Sequence, residues 1–198
     1  MKKFSFILAV ALMMGACQSN GQSNAEATAQ DAEAETAKTT LVAYFSASEA
    51  HVTAQVAKTL AEATDADLFE IGPEQIYSTA DLDWRNDQSR STIEMKDSTA
   101  RPAVASKVEN MDQYTTIYVG FPIWWYTAPR IVNTFLEQYD LTGKTIIPFA
   151  TSGGSDIGKS GEDLKKASAP NANWILPGKV LNGNPPVDSL KTWVEALK

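Results

Sequence analysis

The sequence predicts an α/β fold in three layers: a five-stranded parallel sheet, strand order 2-1-3-4-5, between two sets of helices. Two observations carry this. Short apolar runs alternate with stretches whose apolar residues recur at helical spacing, and that alternation builds parallel sheets covered on both faces. Once a distinctive N-terminal stretch is set aside, ~160 residues remain, the size of one doubly wound domain.

The elements follow in order. Residues 40–45, TLVAYF, form a first strand apolar enough to be buried on both faces. Val52, Val56, Leu60 and Ala63 then recur at helical spacing. Leu68-Phe69-Glu70-Ile71 reads as a second strand, closed by Gly72-Pro73. Residues 115–120, TTIYVG, make the third strand, stopped by Pro122. Pro129 opens a helix with Ile131, Val132, Phe135 and Leu136 on one face, and proline suits a first helical turn. Residues 144–150, KTIIPFA, form the fourth strand, and residues 162–167 a short helix. Trp174-Ile175-Leu176 and Val180-Leu181 belong to a fifth strand region, and Leu190, Trp193, Val194 and Leu197 mark a closing helix. One segment breaks the rhythm. Residues 73–110 are polar and weakly periodic and hold Tyr77, Trp84, Arg90 and Arg101. An insert that long in a compact domain is functional or partly helical; Trp84 either covers a pocket or pins the insert to the core.

Composition excludes several classes. The chain has 198 residues, one Cys, one His and a formal charge of −7. A lone Cys rules out a disulfide framework and Cys-rich metal centres. A single His leaves a multi-His metal cluster short of ligands. The acidic balance argues against nucleic acid, whose binders carry a basic footprint.

The N-terminus has the layout of an export signal. Lys2 and Lys3 precede an almost wholly apolar run at residues 4–14. As a helix that run spans only ~17 Å, too short for a ~30 Å bilayer core. Met14-Gly15-Ala16-Cys17 resembles a bacterial lipobox. The resemblance implies a signal peptide at residues 1–16, cleavage before Cys17, and lipid attachment to Cys17; the alternative is an ordinary signal peptide with an incidental thiol. Residues 17–38 then form a lipid-anchored disordered tether, lacking aromatic or large aliphatic side chains, with a coil-like reach of ~25 Å. Residues 39–198 form the folded domain. Beyond residue 38 the chain carries 14 basic against 20 acidic residues, so an acyl anchor rather than charge would hold it at an anionic membrane.

In a doubly wound sheet, ligands bind outside the carboxyl ends of the strands. Three segments lie there. Ser46-Ala47-Ser48-Glu49-Ala50-His51-Val52-Thr53 is hydroxyl-rich and runs into a helix N-terminus, a ready anion site. Pro122-Ile123-Trp124-Trp125-Tyr126 offers three aromatics to stack on a flat ring, although neighbours at a strand end face opposite ways and one of the indoles is expected to cap the core. Thr151-Ser152-Gly153-Gly154 offers small residues that let a ligand approach the backbone.

These segments resemble the flavodoxin family, and within it the bacterial branch with a YFS start, a GFPIWW third-strand loop and a TSGGS fourth-strand loop. The matching residues are Tyr44-Phe45-Ser46, Asp81-Leu82-Asp83-Trp84, the run from Gly120 to Trp125, Thr127-Ala128-Pro129-Arg130, and the run from Thr151 to Ser155. The resemblance implies a flavodoxin-like three-layer sandwich over residues 40–198, with FMN as cofactor. It implies that Ser46, Ser48, His51, Val52 and Thr53 hold the phosphate. The isoalloxazine would lie between Pro122, Ile123, Trp124, Trp125 and Tyr126 on one side and Thr151, Ser152, Gly153 and Gly154 on the other. No side chain need be catalytic, because a flavin carries the redox chemistry itself. The implied roles are electron transfer with a redox protein partner or reduction of a quinone-like small molecule. The acidic surface leans toward the first and the aromatic loop toward the second. The acidity also implies a midpoint potential below that of free FMN.

One departure matters. The family's first loop reads S-x-T-G-x-T, whereas Glu49-Ala50-His51 stand in that region here. A carboxylate ~5 Å from a phosphate charge, at an effective dielectric of ~20, is repelled by roughly 3 kcal/mol. Glu49 must face solvent. Otherwise flavin binding is lost, and the chain is a degenerate flavodoxin fold serving as an anchored binding module. A second pattern misleads. GGSDIGKS at residues 153–160 matches the P-loop consensus, but it comes late in the fold, and no apolar strand ends in the Asp that helps hold magnesium.

Overall fold

The computed structural model describes residues 38–198. The expected signal peptide, Cys17 and the tether up to residue 37 lie outside the described residues. β1 (Thr40–Tyr44) leads into α1 (Val52–Thr64) and β2 (Asp67–Glu70). The insert contributes α2 (Arg90–Lys96) and a single 3-10 turn at Met111–Gln113. Then come β3 (Thr116–Pro122), α3 (Arg130–Leu136), β4 (Thr145–Thr151) and α4 (Ser160–Ser168). The chain ends with β5 (Asn173–Trp174), β6 (Lys179–Val180) and α5 (Val187–Glu195).

Every strand pairing is parallel, and the order β2-β1-β3-β4-β5 is the expected one. The fifth position is divided. β5 pairs the start of β4, Thr145 with Asn173, and β6 pairs its end, Phe149 with Lys179. Between them the chain passes through Leu176-Pro177 and Gly178, whose φ is +90°. The expected edge strand therefore becomes two short ones: proline cannot donate to a ladder, and Gly178 turns the chain away from it.

Strand residues alternate between two cores, as a period of two requires. Leu41, Ala43, Phe45, Ile117, Val119, Phe121, Ile146 and Ala150 pack with Ile131, Val132, Phe135 and Leu164 of α3 and α4. Val42, Tyr44, Tyr118, Ile147 and Phe149 pack on the opposite face with Val56, Leu60, Leu190 and Trp193 of α1 and α5. The sheet is dry on both sides, which is why its strands read as continuous apolar runs. Gly120 is dictated by Phe149 beside it: a Cβ there would lie 2.2 Å from the ring. Pro129 precedes α3 as its N-cap rather than entering the first turn, a shift of one residue from expectation.

The insert is ordered. Pro73 and Val104 form an antiparallel bridge, with the Glu74 N–H donating to the Ala103 carbonyl (3.0 Å) and the Ala105 N–H to that of Gly72 (2.8 Å). Ser89 caps α2 by accepting from the Thr92 N–H. Arg101 makes two hydrogen bonds of 2.8 Å to the Glu137 carboxylate beyond α3. Tyr77 is buried, with the Arg90 guanidinium 4.0 Å above its ring. Its hydroxyl donates to Glu94. Burial, then that carboxylate, pushes the phenol far above its ordinary value, so Tyr77 stays a proton donor. Weak periodicity hid this structure because polar contacts and one helix of two turns hold it, with little apolar stripe.

Candidate functional site at the carboxyl edge of the sheet

The three predicted loops meet at the carboxyl ends of β1, β3 and β4. They enclose a cavity of about 270 Å³ lined by Ser48, Val52, Thr53, Pro122, Ile123, Trp124, Thr151, Ser152 and Gly153, with Ala47 and Asn182 completing the wall. Asn182 is the residue sequence reasoning missed. Its side-chain oxygen accepts the Ser152 N–H at 2.8 Å, fixing the loop after β4. Its place just past the last strand was the available signal, since ligands gather at such ends.

The floor is polar and tightly set. The Thr53 and Thr151 hydroxyls are 2.7 Å apart and buried, joining the start of α1 to the end of β4. The Ser46 hydroxyl, on the loop after β1 but not among the residues lining the cavity, is buried without a hydrogen-bond partner among the described residues. Among the described residues no side chain caps α1, so its first-turn N–H groups lack the acceptor that a cap supplies. The Ser152 hydroxyl accepts from the N–H groups of Gly154 (3.2 Å) and Ser155 (2.8 Å), curling that loop. A Cβ on Gly153 or Gly154 would meet nothing within 4 Å, so their backbone is open to a ligand.

His51 does not line the cavity. It is exposed, and its backbone is left-handed, with φ 48°. Its N–H donates to the Ser48 carbonyl (2.9 Å) and its carbonyl accepts from Gln55 (3.0 Å). His51 thus makes the sharp turn into α1, a conformation that glycine adopts more readily. Glu49 is exposed too and accepts a hydrogen bond from Thr79 of the insert at 3.3 Å. That contact turns it toward the insert.

The aromatic loop is a tight hairpin. Trp124 and Thr127 exchange both backbone hydrogen bonds at 3.0 Å. The two residues between them, Trp125 and Tyr126, have φ of 46° and 63°. Two consecutive left-handed residues define a type I′ turn, which normally takes Asn-Gly. Each bulky residue held this way costs ~1–2 kcal/mol. Trp124 faces inward, edge-on to Phe45 and Tyr77 at 5.5 Å. Trp125 and Tyr126 are exposed, Tyr126 by 81%. A further gap of about 340 Å³ separates this hairpin from Gly154 and Ser155. Trp84 is 67% exposed, so it does not pin the insert to the core.

The P-loop pattern is not used as one. The Ser160 hydroxyl is buried and donates to the Ile157 carbonyl at 2.6 Å, while Lys159 is exposed. Among the described residues no group of His, Cys, Asp and Glu is placed to hold a metal ion, and no helix is long and apolar enough to cross a membrane.

Comparison with known proteins agrees with this geometry. The flavodoxin family model matches residues 39–197. A candidate flavoprotein from Bacteroides eggerthii is 48% identical, with a TM-score of 0.75 over 80% of this chain and 96% of its own. One from Bacteroides uniformis is 50% identical, with a TM-score of 0.73 over 79% and 97%. A flavoprotein from Lactobacillus acidophilus, crystallised in complex with FMN, shares the fold at 22% identity and a TM-score of 0.58, over 80% and 99%. No curated protein matches the chain. With its sheet order, its edge cavity and a family match spanning the folded domain, the chain belongs to the flavodoxin family.

Proposed function

We propose that this protein binds FMN at the carboxyl edge of its sheet and serves as a redox protein. The observation that carries the reading is the start of α1 in the wall of the edge cavity, uncapped by any side chain among the described residues, with the buried, unpartnered Ser46 hydroxyl on the loop that leads to it. A buried hydroxyl left unmade costs about 1–3 kcal/mol, and a phosphate would satisfy it together with the helix N–H groups. Ser48 and Thr53 add hydroxyls on the same wall. The gap between the Trp125-Tyr126 turn and Gly154 suits the flat ring, with the aromatic side chains stacking and the glycine backbone admitting close approach. Glu49 is exposed and engaged with Thr79, the outward placement that the charge argument requires. The Lactobacillus acidophilus protein, which has the same fold, holds FMN.

Bound FMN supplies the electron transfer. The chain's part is to anchor the phosphate, orient the ring and exclude water from one face. Titrating the protein with FMN tests this: quenching of flavin fluorescence at micromolar concentration is expected, weakened about tenfold by Ser46→Ala. No binding at tens of micromolar would leave the anchored binding module as the reading.

The location belongs to the same proposal. Lipid attachment at Cys17 and a tether to residue 38 would hold the domain at a membrane outside the cytoplasm, a reading supported by the sequence alone. Cys17→Ser should then move the protein from the membrane fraction to the soluble fraction.

A further inference from the structure

A second cleft lies on the other side of the aromatic hairpin, between it and the insert. Its volume is about 400 Å³, within the range of small-molecule sites. Its walls are the indoles of Trp84, Trp124 and Trp125 and the phenol of Tyr126. Among the described residues no carboxylate, ammonium or guanidinium group lines it directly, the Arg85 guanidinium lying over the Trp84 ring 5.0 Å from its centroid. One residue in its wall breaks the apolar pattern. Ser91, in the first turn of α2, is 1% exposed, and its hydroxyl has no hydrogen-bond partner among the described residues.

Three features of the cleft bear on what fills it. Large aromatics exposed as Trp84 and Tyr126 are, at 67% and 81%, form a surface patch of the kind that marks a binding site. Trp125 and Tyr126 are held there in left-handed conformations, and strain of this kind collects at ligand sites. The unmade Ser91 hydrogen bond needs an acceptor, and the uncharged walls ask for one on a neutral molecule.

We propose that this cleft binds a neutral, planar aromatic molecule with a carbonyl oxygen at its edge, as in a quinone, and that the Ser91 hydroxyl donates to that oxygen. The indoles supply the stacking surface and Ser91 the orientation. The cleft shares Ile123, Trp125 and Tyr126 with the gap assigned to the flavin ring. Its ligand would therefore sit next to the cofactor across a single turn of chain. As the substrate site of a redox protein it rests on the FMN reading; as a binding site it stands without it.

Calorimetric titration of the full chain with menadione, a naphthoquinone, tests this with and without FMN. 2-Methylnaphthalene serves as the probe of similar shape without carbonyl oxygens. Menadione is expected to bind in both states. Ser91→Ala should weaken it about three- to tenfold, the worth of one hydrogen bond, and leave 2-methylnaphthalene unchanged. Trp84→Ala, at an exposed position that folding does not need, should weaken both probes at least fivefold and leave FMN affinity within twofold. Equal menadione affinity in Ser91→Ala and wild type would overturn the proposal. So would displacement of menadione by FMN or loss of FMN binding in Trp84→Ala, since the cleft would then be the flavin's own seat. Menadione binding with the expected Ser91 dependence, in a protein that takes no FMN, would uphold the cleft and overturn the flavin reading.

Discussion

Thr53 and Thr151, ninety-eight residues apart in sequence, bring their hydroxyls to 2.7 Å in the floor of the edge cavity. Thr53 opens α1 and Thr151 ends β4, so one buried hydrogen bond ties two of the three site loops together. Thr53→Val or Thr151→Val keeps the shape and strands one hydroxyl. Each should lower stability by about 1–2 kcal/mol, and the double variant should lose less than the sum of the two, because the pair is already broken. Urea denaturation of the four proteins checks this, and additive losses would show that the hydroxyls do not act as a pair.

His51 occupies a left-handed position at the mouth of α1 with its side chain exposed. His51→Gly should therefore hold or raise thermal stability, since relief of ~1–2 kcal/mol of backbone strain outweighs the entropy glycine brings. FMN affinity should change less than threefold, because the imidazole does not line the cavity. A marked loss of affinity in this variant would instead make His51 a phosphate ligand.

Gly178 lets the edge of the sheet divide. Its φ is +90°, and a Cβ would lie 2.2 Å from the Pro148 carbonyl oxygen, a backbone atom that cannot swing aside. Gly178→Ala should destabilise the domain by about 3 kcal/mol, combining overpacking with a left-handed non-glycine residue. A melting temperature within a degree or two of wild type would contradict the close packing of β6 on β4.

The insert's tether to α3 is pH-dependent. The hydrogen bonds from Arg101, and then from Ser168, hold the Glu137 carboxyl below its ordinary value of 4.5. A carboxylate depressed on folding contributes stability that is complete above the unfolded pKa and is lost as pH falls through the folded one. The pair is about a third exposed, so its contribution is under about 1 kcal/mol. Glu137→Gln should be slightly less stable than wild type at neutral pH, and the gap should narrow as pH falls below 4.5 and close once the folded carboxyl is protonated. A gap that persists once the carboxyl is protonated in both states would mean that packing rather than charge is lost.

Much of this was legible in the sequence. Strands buried on both faces announce themselves, so β1, β3 and β4 fell within a residue or two of where TLVAYF, TTIYVG and KTIIPFA place them. The cavity was legible by the carboxyl-end rule, which found the three loops that meet there. Three features were hidden because they depend on tertiary contact or backbone sign. Asn182 serves the site through one side-chain hydrogen bond to Ser152. The left-handed conformations of His51, Trp125 and Tyr126 run against the preference of their residue types. The insert's order rests on the Arg101–Glu137 and Tyr77–Glu94 contacts, which no periodicity encodes.

The most direct test of the phosphate cradle compares FMN with riboflavin, its dephosphorylated form, on one preparation of the protein. If Ser46, Ser48, Thr53 and the start of α1 hold the phosphate, FMN should bind at least ~100-fold more tightly, the worth of two charge-assisted hydrogen bonds. Equal affinities, or riboflavin the tighter ligand, would contradict the account, because the loop after β1 would then contribute nothing to recognition.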